Sequence, residues 1–147
     1  MSDVLRPAPW PGPGGSFASA RAVRVFLVDD EPRVLRALTE MIDADPGLEV
    51  VGTAGTAETA FFRILAARPD VAVVDMRLPD ATGLDLCEDL KFIDGRAPRC
   101  IILTAYPNEH DRFHAARAGA AYLAKDLTGM DLIATIKTLT AHAPAEE

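Results

Sequence analysis

The sequence is poor in aromatic residues and cysteines and has no long apolar run. Aromatic residues make up 6% of the 147 residues, and there are two cysteines. Cys87 and Cys100 lack the paired spacing of a zinc site, so we expect buried free thiols. No apolar run reaches the roughly 20 residues that cross a bilayer, and no signal-peptide core opens the chain, so we expect a cytoplasmic protein without membrane contact.

Positive charge is also scarce. Lysine and arginine number 15 against 22 aspartate and glutamate residues, which gives a net charge of −7. An acidic surface argues against direct binding of nucleic acid or anionic membranes. The three histidines form no Ser-His-Asp set, and we expect His110 and His114, four residues apart, to be surface residues rather than a metal pair.

The chain divides into a tail, one folded domain and a short end segment. Residues 1–22 are rich in proline and glycine, so we expect a disordered tail in which Trp10 is passive. Residues 23–141 carry the apolar patterning of one domain, and residues 142–147 are expected to fray. A length of 147 residues with 49% hydrophobic content suits a single core.

Short apolar runs alternate with segments of helical periodicity. The predicted strands are Val23–Val28, Leu48–Gly52, the run ending at Asp75, Cys100–Thr104 and Ala120–Ala124. The first two predicted helices start at Pro32 and cover 57–67. The third carries the apolar residues Leu84, Leu86, Cys87, Leu90 and Phe92, and the fourth covers 108–118 with Phe113 as its anchor. The fifth starts at a Thr128–Asp131 capping box and carries Met130, Ile133, Ile136 and Leu139. This alternation predicts an α/β fold, with a doubly wound parallel sheet of five strands.

Polar side chains close four of the predicted strands, which carry Asp29 with Asp30, then Asp75, Thr104 and Lys125. The carboxyl ends of parallel strands share one edge of the sheet, so these groups should converge. Clustered carboxylates repel one another and favour a hard divalent cation such as Mg²⁺. A cation, an ammonium and a hydroxyl are suited to phosphoryl transfer, and Asp75 is the candidate nucleophile.

The stretches Lys125-Asp126, Arg77–Asp80 and Gly129–Leu132 resemble the NarL/LuxR class of two-component response regulators. Four segments together resemble the receiver domain of these regulators in general. They are Val28–Pro32, Val74–Gly83, Ile102–Ala105 and Ala118–Lys125. The resemblance covers about residues 23–140. It implies the flavodoxin-like receiver fold, a parallel sheet with strand order 2-1-3-4-5.

The resemblance also implies a phosphoacceptor and a metal site. Asp75 would accept a phosphoryl group from a sensor histidine kinase. Mg²⁺ (or Mn²⁺) would be bound by Asp30, by Asp75 and by the main-chain carbonyl of Arg77. Asp29 would act on the ion through a water molecule.

The residues implied to bind the phosphoryl group and to switch lie on the last two strands. Thr104, in the segment that continues to Ala105, and Lys125 would hold the phosphoryl oxygens. Tyr122 would swing inward as Thr104 moves. The protein would therefore catalyse its own phosphotransfer and dephosphorylation, without being an enzyme towards other substrates.

Two departures from the family pattern affect what can be expected of partners. Asp126 follows the lysine, where many members have proline. Members of the NarL/LuxR class usually carry a helix-turn-helix domain, so this chain is either a stand-alone receiver or a piece of a longer protein. An unknown output protein or a missing DNA-binding domain is expected, with phosphorylation-dependent homodimerisation as a further expectation.

Three alternative functions use similar residues or the same topology. A haloacid-dehalogenase-type phosphohydrolase needs an Asp-x-Asp pattern after its first strand, which Asp29-Asp30-Glu31 does not provide, and a cap domain. A flavodoxin-like FMN binder needs a Ser/Thr/Gly-rich phosphate loop there, and the acidic residues would repel that phosphate. A pseudo-receiver that only scaffolds stays open.

Overall fold

Strands and helices alternate strictly through the part of the chain that the computed structural model describes, residues 21–126 and 129–141. The elements are β1 (Val23–Val28), α1 (Pro32–Asp43), β2 (Leu48–Ala54), α2 (Ala57–Ala67), β3 (Val71–Asp75), α3 (Gly83–Leu90), β4 (Arg99–Thr104), α4 (Glu109–Arg117), β5 (Ala121–Ala124) and α5 (Met130–Ala141). Residues 1–20 of the predicted tail, Thr128 of the predicted capping box and residues 142–147 lie outside the described residues.

All strand pairs are parallel, and the strand order is β2-β1-β3-β4-β5. This confirms the doubly wound sheet and the order 2-1-3-4-5. The central strand, β3, is buried along all five of its residues. A strand covered on both faces has no polar side to present, which explains its continuous apolar sequence. Asp75 is the last residue of this strand.

Alternate residues of the strands feed two separate apolar clusters, one on each face of the sheet. Phe26 and Val28 pack with Ile64 of α2 and Leu86 of α3. Val25 and Leu27 point the other way, towards α1 and α5. This alternation follows from the two-residue repeat of a strand, and it holds both helix layers against one sheet.

The helices begin at residues whose chemistry suits a helix start. Pro32 occupies the first turn of α1, where its missing N–H costs no hydrogen bond. The Thr56 hydroxyl accepts the Thr59 N–H at α2, and the Asn108 side chain accepts the Asp111 N–H at α4.

Three large apolar residues that were predicted to support helices are exposed instead. α3 ends at Leu90, so Phe92 lies beyond it and is 84% exposed. Phe113 is 58% exposed, and α4 is held through Ala115 rather than through that predicted anchor. Met130 is 74% exposed at the start of α5, which buries Leu132 and Ile136 further along.

The strand boundaries and the thiols differ slightly from expectation. β2 runs two residues further than predicted, because Ala54 still pairs with Val28 of β1. β5 begins at Ala121 rather than one residue earlier. Both cysteines are free, Cys87 buried and Cys100 only partly so. Among the described residues, no helix combines the length and the apolar character that a membrane span requires.

Candidate functional site

Three carboxylates meet at the carboxyl edge of the sheet. Asp29 and Asp30 directly follow β1, and Asp75 ends the neighbouring β3, where Val28 pairs with Val74. One oxygen atom from each carboxylate lies within 4.8 Å of the others. Asp29 and Asp75 are buried, whereas Asp30 is exposed at the rim. The predicted acidic cluster therefore forms, with one member open to solvent.

Main-chain hydrogen bonds hold the two buried carboxylates in place. The Glu31 N–H donates to Asp29 Oδ1 at 2.9 Å. The Arg77 N–H donates to Asp75 Oδ1 over a longer distance, 3.4 Å. Asp75 Oδ1 is therefore only weakly engaged by the main chain.

Lys125 extends from the end of β5 to the carboxylates. Its Nζ lies 2.9 Å from Asp29 Oδ2 and 3.3 Å from Asp75 Oδ2. Its main-chain N–H donates to the Thr104 carbonyl at 2.8 Å, which fixes the start of the side chain beside β4. One ammonium therefore contacts two of the three carboxylates, and the cluster keeps an excess of negative charge.

The charges and the burial shift the pKa values of the site in a consistent way. Burial, and next the charge of Asp29, raise the pKa of Asp75 above its ordinary value, against the opposing effect of Lys125. Burial acts to lower the pKa of Lys125, but the Asp29 and Asp75 carboxylates outweigh it and raise that pKa. The lysine therefore stays charged, and Asp75 is the carboxylate that a further cation would stabilise.

Thr104 is buried at the end of β4, at the same edge of the sheet. Its residue neighbour Leu103 pairs with Asp75 across the sheet. The Thr104 hydroxyl accepts the Tyr106 N–H at 3.1 Å, while Ala105 between them is exposed. Thr104 thus lies at the same edge of the sheet as the carboxylates, and its hydroxyl is hydrogen-bonded to the loop that follows β4.

Tyr122 lies two residues before the end of β5 and contacts α4. Its hydroxyl accepts the Asn108 N–H at 3.2 Å, and the Arg112 guanidinium lies 4.9 Å from the centre of its ring. Sequence reasoning missed Asn108 and Arg112 as partners of this ring. Asn108 is the N-cap of α4 and Arg112 lies four residues further along, so both meet the ring at the start of that helix.

Gly83 is a further residue whose role the sequence did not reveal. A Cβ atom at this position would lie 2.5 Å from the carbonyl oxygen of Asp75 and 3.0 Å from Val74 Cγ1. A side chain would therefore push α3 away from the end of β3. Glycine allows the helix to start against the strand that carries the central carboxylate.

The donor atoms of the cluster fit a hard divalent cation. Among the described residues, Asp29, Asp30 and Asp75 form the one group of three acidic, histidine or cysteine side chains close enough to hold a metal ion. All their donor atoms are carboxylate oxygens, the ligands that Mg²⁺ and Mn²⁺ prefer. Such an ion would also neutralise the excess negative charge of the cluster.

Comparison with known proteins gives a consistent match over the folded part of the chain. The family described as the response regulator receiver domain matches residues 25–137. The DNA-binding transcriptional activator DevR/DosR of Mycobacterium tuberculosis is 48% identical over 122 residues, which cover 81% of this chain and 55% of the relative. The uncharacterised transcriptional regulatory protein YvfU of Bacillus subtilis is 34% identical, covering 71% of this chain and 52% of the relative. The chain thus spans about half the length of these relatives.

Solved structures match with the same topology. A two-component response regulator of the LuxR family from an Aurantimonas species is 30% identical, with a TM-score of 0.76 over 82% of this chain and 86% of that chain. A CheY-like response regulator receiver domain protein from Methanospirillum hungatei is 28% identical, with a TM-score of 0.75 over 86% of this chain and 99% of that one.

Proposed function

Because this chain belongs to the response regulator receiver family of two-component signalling, we propose that Asp75 is its phosphoryl acceptor and that a sensor histidine kinase is the donor. The family acts as a switch that phosphorylation controls. The observation that supports this assignment best is the placement of Asp75, buried at the end of the central strand, where it shares the Lys125 ammonium with Asp29.

The proposed reaction moves one phosphoryl group between two side chains. An oxygen of the Asp75 carboxylate attacks phosphorus, the bond from phosphorus to the kinase imidazole nitrogen breaks, and an aspartyl phosphate forms. The Lys125 ammonium lies 3.3 Å from Asp75 Oδ2, close enough to stabilise the negative charge that develops on the phosphoryl oxygens. Water then hydrolyses the acyl phosphate, so the protein acts catalytically on itself alone.

A divalent cation completes the proposed site. Asp30, Asp75 and the main-chain carbonyl of Arg77 would hold Mg²⁺ or Mn²⁺, and Asp29 would contact it through water. When bound, the ion supplies positive charge that offsets the carboxylates and the incoming phosphoryl oxygens. The exposure of Asp30 at the rim gives such an ion a route from solvent.

The proposed switch links the phosphoryl group to the face formed by β5 and α4. The Thr104 hydroxyl, with the adjoining Ala105 segment, exchanges its bond to the Tyr106 N–H for one to a phosphoryl oxygen. Movement of Thr104 frees space into which Tyr122 turns, away from Asn108 and Arg112. The outer face then changes shape, and a partner that prefers the new shape shifts the population towards it.

The output lies beyond the receiver function itself. Since the relatives include transcriptional regulators about twice as long as the matched region, we propose that this receiver controls a DNA-binding domain or a separate output protein. Phosphorylation-dependent homodimerisation is proposed as one form of that control. The acidic chain is proposed to act in the cytoplasm without contacting nucleic acid directly.

The test is phosphorylation by a small-molecule donor. Acetyl phosphate with Mg²⁺ should add the mass of one phosphoryl group to the intact protein, and Asp75→Asn should add none while keeping the same circular dichroism spectrum. Asp45→Asn, which removes a carboxylate remote from the site, should label like the wild type. Labelling of Asp75→Asn would refute the assignment, and a wild-type protein that never labels would favour a scaffolding pseudo-receiver.

A further inference from the structure

Asp80 connects the loop after β3 to the start of a different helix. Its Oδ1 accepts the Ala57 N–H at 2.8 Å, and its Oδ2 accepts the Glu58 N–H at 3.0 Å. Ala57 and Glu58 are the first two residues of α2, whose own cap, Thr56, serves the Thr59 N–H instead. A carboxylate 23 residues downstream therefore satisfies two of the free N–H groups at this helix start.

The loop that carries Asp80 turns back onto Asp75. The Leu78 N–H donates to the Ala81 carbonyl at 3.1 Å, and Arg77 pairs with Thr82 as a short antiparallel bridge. These contacts make residues 76–82 a small hairpin. The base of the hairpin adjoins Asp75 through the Arg77 N–H, and Asp80 lies near its tip.

The segment to which Asp80 bonds lies against the other half of the acidic cluster. A Cβ atom placed on Gly55 would be 3.8 Å from the Asp29 carbonyl and 3.9 Å from Asp30 Cα. Gly55 therefore lies close to the main chain of the acidic pair, and Ala57 and Glu58, which follow it, bond to Asp80. Asp80 thus joins the hairpin that carries Arg77 to a segment that adjoins the main chain of Asp30.

We propose that Asp80 is a positioning residue that sets the spacing between these two segments and thereby the affinity of the site for its divalent cation. This inference rests on the proposed function, because it takes the Arg77 carbonyl and the Asp30 carboxylate as ligands of one ion. Asp80 itself touches neither the ion nor the reacting atoms. Residues that orient metal ligands commonly change metal affinity by about tenfold or more when they are removed.

The experiment separates positioning from simple helix stabilisation. Asp80→Ala removes the bonds between the hairpin and α2, whereas Thr56→Ala removes a cap of the same helix without touching the hairpin. Acetyl phosphate labelling is measured for each variant across a series of Mg²⁺ concentrations, and Mn²⁺ binding is measured directly by electron paramagnetic resonance. Asp80→Asn, which keeps one carbonyl acceptor, provides a milder variant.

Asp80→Ala should raise the Mg²⁺ concentration for half-maximal labelling by about tenfold, with the maximal rate recovered at saturating Mg²⁺. Asp80→Asn should be intermediate, and Thr56→Ala should lower the melting temperature while leaving the half-maximal concentration within about twofold of the wild type. Equal Mg²⁺ weakening by Asp80→Ala and Thr56→Ala would overturn the proposal, as would unchanged Mn²⁺ affinity in both Asp80 variants. Failure of the proposed function would appear separately, as labelling of Asp75→Asn.

Discussion

Lys125 lies closer to Asp29 than to Asp75, with its Nζ at 2.9 Å from Asp29 Oδ2 and 3.3 Å from Asp75 Oδ2. The ammonium therefore rests on the carboxylate that is not the proposed nucleophile. A phosphoryl group on Asp75 would bring more negative charge close to this lysine. When the site is phosphorylated, Lys125 can therefore leave its shorter contact with Asp29 and strengthen its longer contact with Asp75.

The first prediction concerns the metal ligands. Titration with Mg²⁺ should shift the amide NMR signals of residues 29–31, 75–77 and 104 in the wild type. Asp30→Ala should weaken Mg²⁺ binding by about tenfold, because it removes a proposed oxygen ligand and one negative charge. Asp45→Asn, remote from the cluster, should bind Mg²⁺ like the wild type. Undiminished binding by Asp30→Ala would show that the ion site is misassigned.

The second prediction concerns stability and pH. Burial and the Asp29 charge raise the pKa of Asp75, so the folded chain holds that proton more tightly than the unfolded chain does. The free energy of unfolding therefore falls as pH rises from the ordinary value of 3.8 through the raised folded value, and stays reduced above it. Without divalent cations at pH 7, Asp75→Asn should raise the melting temperature by about 3 °C.

The control residue for this prediction is Asp45, whose pKa is shifted in the opposite direction to that of Asp75. A hydrogen bond from Lys137, at 2.7 Å, and the Gly47 N–H lower the pKa of Asp45. Its carboxylate therefore supports folding above its unfolded pKa, and that support is lost as pH falls through the lowered folded value. Asp45→Asn should leave the melting temperature unchanged or lower it. A fall in melting temperature for Asp75→Asn would contradict the proposed repulsion between Asp75 and Asp29.

The third prediction concerns the resting position of Tyr122. The Arg112 guanidinium, 4.9 Å from the ring centre, favours the observed position of the ring beside α4 by about 0.5–1 kcal/mol. Arg112→Gln should therefore raise the inward population before phosphorylation by about two- to fivefold. Fluorotyrosine NMR reads this population, with Tyr106→Phe assigning the two signals. Arg117→Gln removes a similar contact on Phe113 and should have no effect, and identical spectra for both variants would refute the role of Arg112.

The fourth prediction concerns the mobility of α4. The helix buries Ala115 alone, whereas α1 buries Leu38 and Ile42. Since local stability follows buried apolar contact, the amide hydrogens of α4 should exchange about tenfold or more faster than those of α1. Phosphorylation should change exchange in α4 more than in α1. Equal protection of the two helices would contradict this prediction.

The features that the sequence predicted are those set by short stretches of chain. Apolar runs that end in a polar residue identify the strands, and parallel pairing then brings Asp29, Asp75 and Lys125 to one edge. The domain boundaries and the functional roles of these residues stay predictions. The placement of the residues at one edge is confirmed.

The features that could not be predicted depend on contacts between distant segments. The bond from Asp80 to α2 joins residues 23 apart, and neither segment reveals it alone. The exposure of Phe113 was missed because α4 has almost no apolar periodicity, so one large residue gave no direction for its buried face. Gly83 resembled an ordinary turn residue until its approach to the Asp75 carbonyl was visible.

The most direct test of the central claim is to locate the phosphoryl group on the chain. Wild-type protein labelled by acetyl phosphate with Mg²⁺ is reduced with borohydride, which converts the acyl phosphate of an aspartate to homoserine, and its peptides are sequenced by mass spectrometry. The proposed function predicts homoserine at position 75 and unmodified aspartate at positions 29 and 30. Homoserine at position 29 or 30, with unmodified Asp75, would contradict it.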